Sequence, residues 1–224
     1  MTSVHQITRK ARGGSVSGTR LKLLPRLPGS RLPRELSSPG LVALDLMRLF
    51  CDPASPAFLP SYPAIEKKLF ELVDSMTAKG RPVLFTRHAH EDGDDGGLIG
   101  RMYGRLQRAG DPLNELIPEA KRRIPPAFEV IKNRHSPLLA EAASEFFGGC
   151  DSLIVAGVQT QACVLATALD GARLGLVPLV VADACASKDA RLHRRALDVL
   201  ASGHAYVLTA DEAVDALFPG SSGR

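Results

Sequence analysis

From Leu41 onward, short runs rich in apolar and β-branched residues alternate with stretches whose apolar residues fall at helical spacing. Strands separated in this way cannot be joined by tight hairpins; they return in the same direction and build a parallel sheet covered by helices. Six runs are expected as strands: Leu41 to Leu46, Pro82 to Thr86, Phe128 to Lys132, Leu153 to Val158, Val177 to Ala182 and Ala205 to Thr209. Between the first two, Ile65, Leu69, Leu72, Val73 and Met76 lie on one helical face, and Gly80 supplies a C-terminal stop. Ala162 to Leu174, closed by Gly175, and Ala190 to Leu200, closed before Gly203, repeat the pattern. The expectation is one α/β domain, which 224 residues can supply with a sizeable core without disulfide or metal staples.

An open parallel sheet binds ligands beyond the carboxyl ends of its strands, near the point where strand order reverses. Polar residues cluster at four such ends: Asp45, the segment Thr86 to His90, Lys132, and Gly157 to Cys163. Cys163 is expected in the first turn of a helix, where free backbone N–H groups and the helix dipole favour a thiolate and can hold an oxyanion. A small buried side chain packing a helix start accounts for it equally well. Asp45 closes an apolar run in which a carboxylate is costly unless paired or used; a cap or structural ion pair is the alternative. Lys132, at the end of an inner strand, can keep Asp45 ionised and steady a thiolate, or can simply snorkel to the surface.

Charge is distributed unevenly. Residues before Glu35 carry eight basic groups and no acid, so of 28 basic and 24 acidic groups in all, the rest of the chain holds 20 against 24. With Gly13-Gly14, Ser17-Gly18 and the prolines Pro25, Pro28 and Pro33, residues 1–32 read as a flexible basic arm, 33–218 as the folded domain and 219–224 as a tail. The arm lacks the interleaved aromatics of a nucleic-acid binder and the apolar stretch of a secretory signal. No run is long enough to span a bilayer, so neither nucleic acid nor membrane is expected as a partner. Cys51, Cys150, Cys163 and Cys185 have no metal-like spacing, which points to reduced thiols in a cytoplasmic protein. Packing roles are assigned to Cys51, Cys150 and Cys185, and surface or capping roles to His193 and His204.

Several segments together resemble a known family. Leu41-Val42-Ala43-Leu44-Asp45-Leu46-Met47 is similar to the opening strand of isochorismatase-like hydrolases, and Val130-Ile131-Lys132-Asn133-Arg134-His135-Ser136 to their lysine segment. The run from Gly157-Val158-Gln159-Thr160-Gln161-Ala162-Cys163 to Thr167 resembles their cysteine elbow, and Val180-Val181-Ala182-Asp183-Ala184 the strand that follows. The resemblance implies a Rossmann-like three-layer sandwich with a six-stranded, mainly parallel sheet and helices on both faces. It also implies an Asp45–Lys132–Cys163 triad hydrolysing a C–N bond of a small amide or urea-type metabolite. A cis peptide at Val158–Gln159 is implied as well, turning the N–H groups of Ala162 and Cys163 toward the oxyanion, in a homodimer or homotetramer. Vinyl-ether hydrolysis and non-catalytic metabolite binding are the other activities this family admits.

Two departures matter. Met47 and Arg48 stand where the family commonly has a polar pair after its aspartate. Thr86-Arg87-His88-Ala89-His90 aligns with an Asp-x-His metal pair of the nicotinamidase branch, but reads His88-x-His90 and is followed by an acidic glycine loop, Glu91 to Gly97. No third histidine follows at the expected place, so no metal or other cofactor is expected. Phe50, Arg87, His88, His90 and Arg134 are taken as candidate substrate contacts, with Arg101 and Arg105 as further cations that could receive a carboxylate.

Overall fold

The computed structural model describes Leu32 and residues 36–104, 106–125 and 127–218. Arg105, the tail 219–224 and, apart from Leu32, the arm expected over 1–32 lie outside the described residues. In chain order the elements are β1 (Pro39–Leu44), α1 (Arg48–Cys51), α2 (Tyr62–Ala78), β2 (Val83–His88), α3 (Gly97–Tyr103), α4 (Pro118–Lys121), β3 (Phe128–Lys132), α5 (Glu141–Phe146), β4 (Ser152–Val158), α6 (Leu165–Arg173), β5 (Val177–Ala186), α7 (Ala190–Ala201), β6 (Tyr206–Leu208) and α8 (Ala210–Leu217).

The six strands form one sheet in the order β3-β2-β1-β4-β5-β6, and every pairing is parallel. β1 and β4 are buried along their whole length, which explains why both read as continuous apolar runs rather than as alternating ones. Period-two alternation divides their side chains between two cores. Leu41, Ala43 and Phe85 join Leu69, Leu72, Val73 and Met76 of α2 and Ala213 and Leu217 of α8 on one face. Val42, Leu44 and Leu84 join Ala143, Phe147, Ala168, Leu197 and Leu200 from α5, α6 and α7, with the residue after α5, on the other. Each fully buried aliphatic side chain of this kind contributes roughly 1.5–3 kcal/mol. Among the described residues no helix is long and apolar enough to cross a membrane.

This strand order places the reversal of chain progression between β1 and β4. Their carboxyl ends carry Asp45 and the segment leading to Cys163, so the topology delivers both to the crevice where such sheets bind ligands.

Three local features differ from expectation. β2 continues two residues beyond Thr86 because Arg87 and His88 pair in register with Ile131 and Lys132. The helix expected from Ala162 opens instead with a π-helical turn, Thr160–Val164, a wide turn that recurs at functional sites. His193 is buried rather than on the surface: its Nδ1 lies 2.8 Å from Thr160 Oγ1, whose hydroxyl donates to the Ala186 carbonyl at 3.0 Å. That contact ties α7 beneath the turn that presents Cys163.

Candidate active site

Asp45 follows directly on β1 with φ of 54°, the one non-glycine residue with positive φ among those described. Aspartate tolerates this left-handed conformation better than most residues, and such backbone concentrates where function demands it. The Asp45 N–H donates to the Thr86 carbonyl at 3.2 Å and to Thr86 Oγ1 at 3.1 Å, while the Thr86 hydroxyl donates back to Asp45 Oδ1 at 2.7 Å. The second carboxylate oxygen accepts from Lys132 Nζ at 2.8 Å, and both side chains are only 1% exposed.

Lys132 Nζ also lies 3.4 Å from Cys163 Sγ, 3.4 Å from His88 Nδ1 and 3.2 Å from the Arg134 carbonyl. The three residues predicted from sequence thus meet at one buried point, with the ammonium between carboxylate and sulfur. Burial works against the charge on Lys132, but Asp45 and the sulfur beside it carry its pKa above the ordinary lysine value.

Cys163 departs from expectation in its ionisation. Burial, reinforced by the negative charge of Asp45 and opposed by Lys132, pushes its thiol up to about 12. At rest the sulfur therefore holds its proton, and a neighbouring base must take it at the moment of attack. The Val158–Gln159 peptide is cis, and the Ala162 N–H donates to the Gln159 carbonyl at 3.0 Å inside the turn.

Asp45, His88 and Cys163 open onto a cavity of about 410 Å³ walled by Leu49, Phe50, Phe58, Leu59, Ile99 and Tyr103, with Gln107, His135, Gln159 and Lys188 among its polar lining. An apolar chamber with a few convergent polar groups is the usual form of a small-molecule site. Of the expected substrate contacts, Phe50 and His88 line it. His90 stands one layer behind His88. Arg87 projects to the opposite face of β2, where it is paired with Glu129. Arg134 is outside the lining too: its guanidinium bonds the Asn133 carbonyl at 3.0 Å, and only its own carbonyl reaches Lys132. Arg101 bonds the Gly97 carbonyl at 3.4 Å on α3 and is likewise absent from the lining. Strand alternation alone would have separated Arg87 from His88.

Two residues were not singled out from sequence. His135 lies with Nδ1 3.8 Å from Cys163 Sγ and lines the cavity, its pKa lowered by burial and by Lys132. Thr86 locks Asp45 in place; a hydroxyl at the end of an otherwise apolar strand was its signal.

Among the described residues the His88-x-His90 pair has no third side chain placed to complete a metal site with it. His88 Nε2 and His90 Nε2 face each other at 3.0 Å, and Asp94, the nearest carboxylate, sits on the far nitrogen of His90 at 2.8 Å. Among the described residues no group of three His, Cys, Asp or Glu side chains could hold a metal ion.

The electrostatics carry a direct prediction. Because the Cys163 thiol is held up to about 12 while Lys132 lowers it, iodoacetamide alkylation of Cys163 is expected to accelerate through pH 7 to 10 without a plateau. Lys132→Met removes the stabilising cation and should displace that profile to still higher pH. Alkylation rates against pH, measured by peptide mapping, check both; coincident profiles would remove Lys132 from the role.

The comparisons with known proteins bear on the fold and the family. Nicotinamidase 3 of Arabidopsis thaliana is 28% identical over 177 residues, covering 77% of this chain and 85% of that protein. N-carbamoylsarcosine amidase of an Arthrobacter species is 27% identical over 150 residues, covering 63% of this chain and 57% of that protein. The crystal structure of a cysteine hydrolase from Pseudomonas syringae pv. phaseolicola 1448A superposes with a TM-score of 0.75 at 21% identity, covering 86% of this chain and 97% of the other. The isochorismatase domain model matches residues 39–212, a span that contains the whole sheet together with Asp45, Lys132 and Cys163. The chain belongs to the isochorismatase family.

Proposed function

We propose that this chain is a cysteine amidohydrolase that cleaves the C–N bond of a small amide or urea-type metabolite through a Cys163 thioester. The observation that carries the reading is the shared ammonium: Lys132 Nζ lies 2.8 Å from Asp45 Oδ2 and 3.4 Å from Cys163 Sγ, the two residues that face a largely apolar cavity.

In this reading the thiol proton passes to Asp45 as Sγ adds to the carbonyl carbon and the carbonyl oxygen becomes an oxyanion. The backbone N–H of Cys163 is the proposed donor to that oxygen, with Val158 and Gln159 shaping the turn; the Ala162 N–H, expected beside it, is taken by the Gln159 carbonyl and could join only by leaving that bond. When the tetrahedral adduct collapses, the C–N bond breaks and Asp45 returns the proton to the leaving nitrogen. Water then adds to the thioester, giving its proton back through Asp45, and the C–S bond breaks to release the acid and restore the thiol. Lys132 pairs with the Asp45 side chain and compensates charge as it builds on sulfur. A thiol that resists ionisation at rest suits this scheme, because attack and proton transfer are then coupled. The relatives named nicotinamidase and N-carbamoylsarcosine amidase support amide-type substrates, and a chamber of this size suits a small one.

The test is turnover of a panel of small amides, ureas and a vinyl ether by the purified full chain, scored by ammonia release for the amides and ureas and by chromatography of the products for the vinyl ether. Turnover of at least one amide or urea, lost on alkylation of Cys163, is the expected result; turnover of the vinyl ether alone would overturn the reading.

A further inference from the structure

The proposed reaction leaves His90 and Asp94 without a part, although both are tied to its centre. Lys132 Nζ lies 3.4 Å from His88 Nδ1, His88 Nε2 lies 3.0 Å from His90 Nε2, and His90 Nδ1 lies 2.8 Å from Asp94 Oδ2. Asn133, the residue after Lys132, donates from Nδ2 to the same Asp94 oxygen at 2.9 Å. Asp94 is thus joined to the end of β3 by two routes, one through the histidines and one direct.

The direction of every bond in the longer route follows from its starting group. An ammonium can only donate, so His88 Nδ1 must be the unprotonated nitrogen and its proton must sit on Nε2. A contact between two ring nitrogens needs one proton, and His88 supplies it, so His90 Nε2 is the acceptor. The His90 proton is therefore on Nδ1, facing a carboxylate that can only accept. The chain runs one way, from the buried cation to a partly exposed anion, and no member can reverse without breaking a bond.

The surroundings agree. Burial, with Lys132 beside it, drives His88 down to about 3, so its ring is neutral at ordinary pH. Asp94 is held well below the usual carboxylate range by the Gly96 N–H, His90 and Asn133. The ammonium has three protons and four acceptors: Asp45, His88, the Arg134 carbonyl and Cys163.

We propose that His88, His90 and Asp94 are positioning residues: a one-way hydrogen-bond chain that holds the Lys132 ammonium on the line between Asp45 and Cys163. The proposal rests on Lys132 acting with Cys163 as described above, but its test needs no substrate, so failure to find an amide turned over would leave it standing or falling on its own evidence.

The test joins spectroscopy to chemistry on the full chain. Nitrogen-15 NMR with histidine labelling, assigned by His88→Gln and His90→Gln, is expected to show unprotonated nitrogens at His88 Nδ1 and His90 Nε2 and protonated ones at His88 Nε2 and His90 Nδ1. His90→Leu, which cuts the chain, is expected to move the Cys163 alkylation profile to higher pH, by less than Lys132→Met does. His90→Gln, which keeps one acceptor and one donor, should restore part of the shift. The opposite tautomer at either ring, or a His90→Leu profile identical to that of the unaltered protein, would overturn the proposal. So would stoichiometric zinc retained between the imidazoles on metal analysis. Should His90→Leu fail to fold, the tautomer measurement on the unaltered protein still decides.

Discussion

Replacing Asp45 by Asn is expected to lower amide turnover by roughly 10²- to 10⁴-fold, the range typical of losing a positioned acid–base group. Asn is nearly the same shape but has one carbonyl oxygen where Asp45 uses two, so it can accept from Lys132 only by turning its NH2 group toward Thr86 Oγ1, and it cannot take the thiol proton or deliver one to the leaving nitrogen. Since Cys163 keeps its proton at rest, no other route readily opens at neutral pH. Stability should fall as well, because Lys132 would retain a buried charge without its counter-ion, a loss of up to roughly 3–5 kcal/mol when such a pair is broken. Steady-state ammonia release, run beside circular dichroism to show that the variant is folded, separates the two effects. Near-normal turnover in folded Asp45→Asn would remove Asp45 from the chemistry.

The second large effect concerns the scaffold. Gly157 sits opposite Leu44, at the carboxyl ends of the two central strands, with φ of 108°. A Cβ there would stand 2.3 Å from the Leu44 carbonyl oxygen and 2.5 Å from its nitrogen. These are backbone atoms that cannot step aside without parting β1 from β4. Gly157→Ala therefore combines a backbone conformation closed to L-residues with a main-chain clash, and is expected to cost roughly 3–5 kcal/mol. Urea unfolding, or failure to accumulate folded protein, reads the loss. Because the strain falls one residue before Asp45 and one before Val158, any folded fraction should also lose activity. A midpoint unchanged from the parent would show that the close approach of the strands is not needed.

Much of this could be read from the residues because the apolar pattern and the sheet topology constrain each other. All six strands lie where apolar runs were seen, and a parallel sheet brings their carboxyl ends together, so Asp45, Lys132 and Cys163 could be associated across more than a hundred residues of chain. Features set by pairing between distant segments could not. The extension of β2 to His88 depends on its register with β3. The left-handed Asp45 depends on Thr86 meeting it from the neighbouring strand. The π-helical turn before α6 and the burial of His193 beneath it arise from packing of α7 against the elbow, which no local periodicity records. α8 was legible in principle: Thr209 and Glu212 form a reciprocal capping box at its start, a short-range signal that the strand pattern before it overshadows. The ionisation of Cys163 ran opposite to the simple expectation from a helix N-terminus, because burial and a nearby carboxylate outweigh the dipole and the ammonium.

The account stands on Cys163 forming a covalent bond to substrate. Acid quenching of the protein during turnover of a slowly hydrolysed amide, followed by intact-mass and peptide mass spectrometry, measures this directly. The account predicts an added acyl mass on the peptide containing Cys163, removable by hydroxylamine and absent from Cys51, Cys150 and Cys185. Turnover that continues with no acyl adduct, and persists when Cys163 is quantitatively alkylated, would contradict it.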